Sequence, residues 1–190
     1  MPSSVYRAVV LGAPGSGKTS LVRRFVDNKF EEAYEPTIED KHTKKATFEG
    51  IPIVLEILDT SGKELFANQH DPYFAHSDAF IVCYAVDDRK SYEYAVKVFT
   101  QIALHRGTHS IPRVLVGTKL DLPNRTVSLE SGNMLSAQLQ CSFAEISAMH
   151  DINVTEVFEE VVSQIRFIRG MQKKAREAAR GSSIFCCLLG

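Results

Sequence analysis

The sequence predicts an α/β protein: an open, mostly parallel six-stranded sheet with helices on both faces. Three observations carry this. Short apolar runs alternate with helix-like stretches along the chain, the order that parallel strands joined by right-handed crossovers require. Two of those runs, Thr43–Phe48 and Ile51–Leu58, are separated only by Glu49–Gly50, too little chain for a crossover and enough for a hairpin. The segments richest in glycine, hydroxyl and carboxylate groups follow the ends of predicted strands. Sheets of this kind bind ligands beyond the carboxyl ends of their strands.

The first strand is about Val5–Leu11, where "YRAVVL" is an apolar run ahead of glycines. A helix over about Gly17–Asn28 follows, with "SLVRRFV" as its body. The hairpin strands come next, and "IPIVLEIL" in the second reads as buried. A helix is expected over Lys63–Phe74. The strand Ala79–Val86, "AFIVCYAV", is apolar throughout, as a core strand covered on both faces should be. A helix over Ser91–His105, a strand over Arg113–Gly117, a helix over Leu129–Leu139, a strand over Cys141–Glu145 and a final helix over Asn153–Lys174 complete the series. Beyond Gly170 the composition shifts to basic, then small, then apolar residues. This divides the chain into a globular domain, 1–170, and a basic, flexible tail, 171–190.

The chain has 190 residues, 44% hydrophobic and 24% charged, which suits one domain with a sizeable core and a modest tail. A net charge of −1 offers no argument for nucleic acid. No apolar run approaches the roughly 18 residues of a membrane span. The start, "MPSSVYRAVVLG", lacks the basic and apolar regions of a secretion signal, so a cytoplasmic protein is expected. Cys83 and Cys141 fall in or beside strands and read as inert buried thiols; no C-x-x-C spacing suggests zinc or redox chemistry.

"GAPGSGKT", Gly12 to Thr19, matches G-x-x-x-x-G-K-[ST] between a strand and a helix, the context that motif requires. Glycines let successive backbone N–H groups turn inward on phosphate oxygens. The fold is therefore of the P-loop NTPase type. Lys18 bridges the β- and γ-phosphates, the Thr19 hydroxyl coordinates Mg²⁺, and the helix N-terminus adds its dipole. The loop alone does not choose among ATPase, GTPase and kinase. "TKLD", Thr118 to Asp121, follows a later strand and does choose. The Asp121 carboxylate can accept two parallel hydrogen bonds from guanine N1–H and its amino group, and adenine lacks that arrangement. The Lys119 stem would lie along the base. In "EISAMH" the Ala148 N–H, between Ser147 and Met149, could meet the guanine carbonyl.

With "GAPGSGKT", "YEPTIED", "DTSG", "TKLD" and "SA" in this order, the chain resembles the Ras superfamily of small GTPases, and its Ras subfamily in particular, over roughly Val5 to Gly170. No extra helix separates "TKLD" from "SA", as the Rho branch would have. "YEPTIED" is close to the Ras and Rap effector segment; Rheb is a further branch to weigh. The resemblance implies a small G-protein fold and a monomeric GTP/GDP switch with Mg²⁺. Its phosphate site would comprise Gly12, Ala13, Pro14, Gly15, Ser16, Gly17, Lys18, Thr19 and Ser20. Thr37 and Asp59 would join Thr19 at Mg²⁺, Asp59 through a water. Thr37 and Gly62 would sense the γ-phosphate, Phe30 would stack on guanine, and Tyr34 would close over the phosphates. Without the γ-phosphate both switch segments would loosen. Effector proteins would read Glu35–Asp40, and exchange and GTPase-activating proteins would drive the cycle.

Departures from the family pattern concern hydrolysis. Lys63 stands where the family has the glutamine that orients attacking water. A charged lysine has donors and no acceptor, so slow intrinsic hydrolysis is expected unless a partner supplies the missing group. Pro14 adds bulk where an activating arginine would enter. Ser61, Thr118 and Met149 replace the commoner alanine, asparagine and lysine with little expected consequence. His105, His109 and His150 lack ligand spacing and read as surface or structural residues, and Asp87–Asp88 as a turn and helix cap.

"CLLG", Cys187 to Gly190, has the shape of a prenylation signal, with the choice of prenyl group open and Cys186 free for a second acyl chain. Lys173, Lys174, Arg176 and Arg180 would assist on an anionic surface. The expected location is the cytoplasmic face of a membrane, the plasma membrane for preference. Two functions remain: a slow GTPase switch, or a GTP-binding signalling module with negligible hydrolysis, controlled by exchange or localisation.

Overall fold

The computed structural model describes residues 4–31, 37, 39–62, 72–106 and 111–186. The elements run β1 (Ser4–Gly12), α1 (Lys18–Asp27), β2 (Glu39–Phe48), β3 (Ile51–Thr60), α2 (Pro72–His76), β4 (Ala79–Ala85), α3 (Arg89–Arg106), β5 (Arg113–Thr118), α4 (Leu129–Leu139), β6 (Ser142–Glu145) and α5 (Val154–Cys186). The strands form one sheet of six in the order β2-β3-β1-β4-β5-β6. β2 and β3 pair antiparallel and every other neighbouring pair is parallel. The expected hairpin turns at Glu49 (φ 51°) and Gly50 (φ 74°). Positive φ at both central residues is the conformation whose twist matches the flanking strands.

Side-chain alternation sorts the core into two layers. From β1, Tyr6, Ala8 and Val10 face α1 and α5; Val9 and Leu11 face α3. β4 is buried along its whole length, with Ala79, Ile81 and Cys83 on the first side and Phe80, Val82 and Tyr84 on the second. Its unbroken apolar sequence follows from having a helical layer on each face. Phe25 of α1 stacks on Phe158 of α5, with ring centroids 3.8 Å apart, and locks these two helices together on one face. Chain order reverses around β1: the connection after β1 leads to β2 and β3 on one side, and the connection after β3 leads to β4 on the other. That reversal opens a crevice at the carboxyl end of β1. Burial pushes the Cys83 thiol up to about 12 and the Cys141 thiol up to about 11, so both stay protonated and unreactive at neutral pH.

Three elements differ from their expected bounds by more than two residues. β2 starts at Glu39 rather than Thr43, because "EDKH" is the exposed beginning of an edge strand, whose charges mimic a loop. α2 spans Pro72–His76; most of the expected helix Lys63–Phe74, namely 63–71, lies outside the described residues. α5 continues to Cys186 instead of stopping at Lys174. "MQKKAREAAR" is built of strong helix formers, and Lys173 pairs with Glu177 one turn on, so nothing local ends the helix. Gly170 sits inside it in open space. α5 is tied to the sheet by Arg166, which donates to the Phe48 carbonyl and pairs with Glu49, by Arg169, which donates to the Val5 carbonyl and pairs with Asp78, and by Gln164, which accepts from the Arg113 N–H and donates to the Ser142 hydroxyl.

Candidate nucleotide-binding site

The phosphate-type loop connects β1 to α1 at the crevice. Gly12 (φ 143°) lies in register with Cys83 of β4, and a Cβ there would stand 2.2 Å from the Cys83 carbonyl oxygen. Gly17 (φ 78°) caps α1, and a Cβ on it would meet the Thr118 hydroxyl at 2.9 Å. These glycines let the loop press against β4 and β5 while its amides turn outward. Lys18 is only 5% exposed, and its ammonium donates to the carbonyls of Gly12 (3.0 Å) and Ala13 (2.9 Å). The charge is thereby held over the loop, where an anion would sit.

Three oxygen-bearing side chains converge beside it. The Thr19 hydroxyl donates to Asp59 Oδ2 at 2.6 Å and lies 2.8 Å from the Thr37 hydroxyl. Asp59, at the end of β3, is fully buried, and its Oδ1 has no hydrogen-bond partner among the described residues. Burial raises its pKa, opposed by the Thr19 hydrogen bond and the Lys18 charge. A buried carboxylate oxygen left unpaired is costly unless something positive faces it. One orphan carboxylate oxygen and two adjacent hydroxyls are hard donors and fit a small divalent cation. Gly62 (φ 86°) rests on the loop itself: a Cβ would come within 2.6 Å of the Gly12 carbonyl oxygen and the Pro14 nitrogen. Tyr94 of α3 holds Gly62 there, its hydroxyl donating to the Gly62 carbonyl at 2.6 Å.

The base end is built from the ends of β5 and β6. Thr118 contributes to it in a way the sequence did not announce. Its hydroxyl lies 2.8 Å from the Ser16 carbonyl and 3.1 Å from the Tyr84 carbonyl, bracing the phosphate-type loop against the sheet. Asp121 Oδ1 accepts from the buried Ser147 hydroxyl at 2.5 Å, which fixes the carboxylate's orientation. Leu120 N–H donates to the Ile146 carbonyl at 3.0 Å and joins the two loops. Lys119 adopts φ 61° and its ammonium lies 3.5 Å from Asp87. Asp87 is thus a partner of the base loop as well as part of a turn, while Asp88 accepts from the Lys90 N–H at 2.9 Å as a helix-start residue does. Beneath the second loop Arg125 and Glu145 make a bidentate pair at 2.7 and 2.8 Å, with Glu145 buried. Nothing in the sequence flagged this pair, because its members are twenty residues apart, Arg125 in the loop before α4 and Glu145 at the end of β6.

These segments enclose a cavity of about 590 Å³, within the range of small-molecule sites. Gly15, Gly17, Lys18, Thr19, Ser20 and Thr37 line one end; Phe30, Thr118, Lys119, Asp121, Ala148 and Met149 line the other. Phe30 both lines the cavity and packs on the α1/α5 core, so the two readings of an aromatic at this position coincide. Arg23, Glu31 and Leu122 also line it, without having been singled out from the sequence. Tyr34, Glu35 and Lys63 lie outside the described residues, as do Cys187 and the side chain of Cys186.

The pattern that defines the Ras family matches residues 7–167, from β1 into α5. The chain is 39% identical to the Ras-related protein R-Ras of Mus musculus over 166 residues, covering 87% of this chain and 76% of that protein. It is 38% identical to the GTP-binding protein Rit2 of Rattus norvegicus over 165 residues, covering 86% and 76% respectively. The GTP-binding protein Rit1 of Mus musculus is 37% identical over 181 residues, 92% of this chain and 82% of that protein. With a crevice of this construction at the switch in strand order and relatives of this similarity, the chain belongs to the Ras family, the small GTPases that bind and hydrolyse GTP as signalling switches.

Proposed function

We propose that this protein is a slow, Mg²⁺-dependent GTP/GDP switch, and that the meeting of Thr19, Thr37 and Asp59 is the observation that carries the reading. Thr19 belongs to the helix after the phosphate loop, Thr37 to the effector-like segment and Asp59 to the strand before Gly62. A cation at this point therefore connects all three. Bound Mg²⁺ would supply positive charge to the phosphate oxygens. Asp59 holds its orphan oxygen towards that charge, Lys18 offers its ammonium to the β- and γ-phosphates, and Gly62 offers its N–H to the γ-phosphate. Asp121 selects guanine and Phe30 covers the base. Ser147, Ala148 and Met149 close the far side.

The metal claim has a direct test. Chelation with EDTA is expected to speed release of a fluorescent GDP analogue by roughly tenfold or more, since a metal clamp contributes several kcal/mol at phosphates. Asp59→Asn should release nucleotide faster with Mg²⁺ present and respond little to the chelator. A release rate indifferent to EDTA in the unaltered protein would overturn the reading.

Lys63 supports the slow rate, because its ammonium has no lone pair to orient water. It equally favours a second reading, a GTP-binding module with negligible hydrolysis controlled by exchange or localisation. Effector proteins would approach along Glu35–Asp40, which leads into the exposed edge strand β2, where Glu39 and Asp40 are solvent-facing. Exchange and activating proteins would complete the cycle around a monomer.

No helix among the described residues is long and apolar enough to cross a membrane. We place the protein on the cytoplasmic face of a membrane, the plasma membrane for preference, through a prenyl group on Cys187, with Cys186 available for a second acyl chain. Lys173, Lys174, Arg176 and Arg180 add about 1 kcal/mol each near anionic lipid, and one lipid alone is marginal. Intact-mass spectrometry of protein made in a prenylating cell should find the modified C-terminus; an unmodified "CLLG" end would rule the anchor out.

A further inference from the structure

Two consecutive arginines towards the C-terminal end of α1 reach two different segments that line the cavity. Arg23 forms an ion pair with Glu31, the residue that follows Phe30, and all three line the cavity. Arg24 projects about 100° further round the helix. Its Nε donates to the Ala148 carbonyl at 2.6 Å, its Nη2 to the Met149 carbonyl at 3.1 Å and its Nη1 to Asn28 Oδ1 at 3.1 Å. Ala148 and Met149 line the same cavity as Phe30 but come from the loop after β6, a separate segment of the chain. The phosphate, metal and base chemistry above assigns neither arginine a task.

We propose that Arg23 and Arg24 are positioning residues that clamp the two lips of the base pocket and so act as a brake on nucleotide release. The proposal rests on the guanine reading of the cavity. A ligand leaving the base end must part the Phe30 side from the Ala148 side, and each side is fastened to the same helical turn. That turn is well anchored: Phe25 stacks on Phe158 within the core, and Lys44 of β2 donates to the Phe25 carbonyl. Arginine suits the task because its planar fork reaches several carbonyls at once, and because a cation is favourable at a helix C-terminus. The clamps differ in strength. The Arg23–Glu31 pair is 32% and 54% exposed on its two sides, so solvent and salt weaken it. Arg24 makes three charge-assisted bonds at the acceptors named; the one to Ala148 is partly buried and those to Met149 and Asn28 are exposed, and acting together they hold harder than a single exposed pair.

The experiment follows release of a fluorescent GDP analogue from the full chain, with Mg²⁺ present and excess GDP as the chase. Arg24→Ala is expected to speed release about tenfold, the loss of one net charge-assisted hydrogen bond. Arg23→Ala and Glu31→Gln are each expected to speed it about two- to fivefold, the range of an exposed ion pair. The Glu31→Gln substitution is on the surface and leaves the fold intact. The double variant Arg23→Glu with Glu31→Arg should return release towards the unaltered rate, a rescue that general loosening of α1 would not produce. Raising the salt concentration should bring the unaltered protein closer to Arg23→Ala and leave the Arg24→Ala difference largely in place. Equal release rates for the unaltered protein, Arg24→Ala and Glu31→Gln would overturn the clamp. A chain that retains guanine nucleotide in no measurable amount would overturn the guanine reading and the clamp together.

Discussion

Replacing Gly12 with alanine is expected to destabilise the protein by about 3 kcal/mol or more and to abolish nucleotide retention. The new Cβ would stand 2.2 Å from the Cys83 carbonyl oxygen and 2.9 Å from the Ser16 hydroxyl, at a φ of 143° that L-residues rarely adopt. The nearer atom is backbone of the fully buried central strand β4 and has nowhere to go. Relief must come from β1 moving away from β4, which breaks the register Gly12↔Cys83 and lifts the loop that starts there. For a domain of this size the melting temperature should fall by about 10 °C. Gly15→Ala is the matched control: φ is 73°, but a Cβ there meets nothing within 4 Å. It should cost about 1 kcal/mol, the strain of the backbone alone. Thermal melts of both variants, together with the nucleotide content of the purified proteins, check the pair. Equal melting temperatures for the two would contradict the packing argument.

Restoring the family's glutamine by Lys63→Gln is expected to raise single-turnover GTP hydrolysis by roughly tenfold or more. An unassisted enzyme of this type works at about 10⁻⁴ s⁻¹ with glutamine orienting the water, and the present chain should fall below that. The argument is one of donors and acceptors. An amide offers a carbonyl to accept from the attacking water and an N–H₂ to donate, whereas an ammonium only donates. Lysine can still pair with a γ-phosphate oxygen, so binding should change little while the rate changes a great deal. That split is the signature to look for: similar GDP and GTP affinities, measured by competition, with hydrolysis rates far apart. If the substitution leaves the rate where it was, the slow step lies elsewhere, with Pro14 as the next departure to examine.

Most of the architecture could be read from the chain because the physics that makes it is local. β4 is apolar at every position since it is covered on both faces, and the hairpin announces itself through a two-residue spacing that ends in glycine. The phosphate loop is legible for the same reason, since its glycines, Lys18 and Thr19 are consecutive. Legibility fails where the cause is distant. The exposed start of β2 reads as a loop because only its pairing with Asp59 and Thr60 makes it a strand. α5 overruns its expected end because nothing in "MQKKAREAAR" stops a helix, and a change in composition is not a change in conformation. Within the site, Thr118 is visible in the sequence as part of a base-reading motif, but its bond to Ser16 joins residues 102 positions apart. Arg24 reaching Ala148 across 124 positions and Tyr94 reaching Gly62 across 32 are hidden in the same way.

The Thr118 hydroxyl has a consequence for how a nucleotide is measured by this protein. It ties the carbonyl of Ser16, in the segment that would take the phosphates, to the strand whose end would take the base. The distance between those two halves of the cavity is therefore set before any ligand arrives. A guanosine and a pyrophosphate offered separately each gain only their own contacts and each lose their own freedom of motion. Covalently joined at the matching length, the second half arrives at a high effective concentration, and one set of translational losses disappears. The bond is thus expected to act as a ruler: affinity for the whole nucleotide should exceed the sum of its parts by an amount that depends on keeping this span constant, and should fall for any ligand whose sugar linkage is longer or shorter than the span allows.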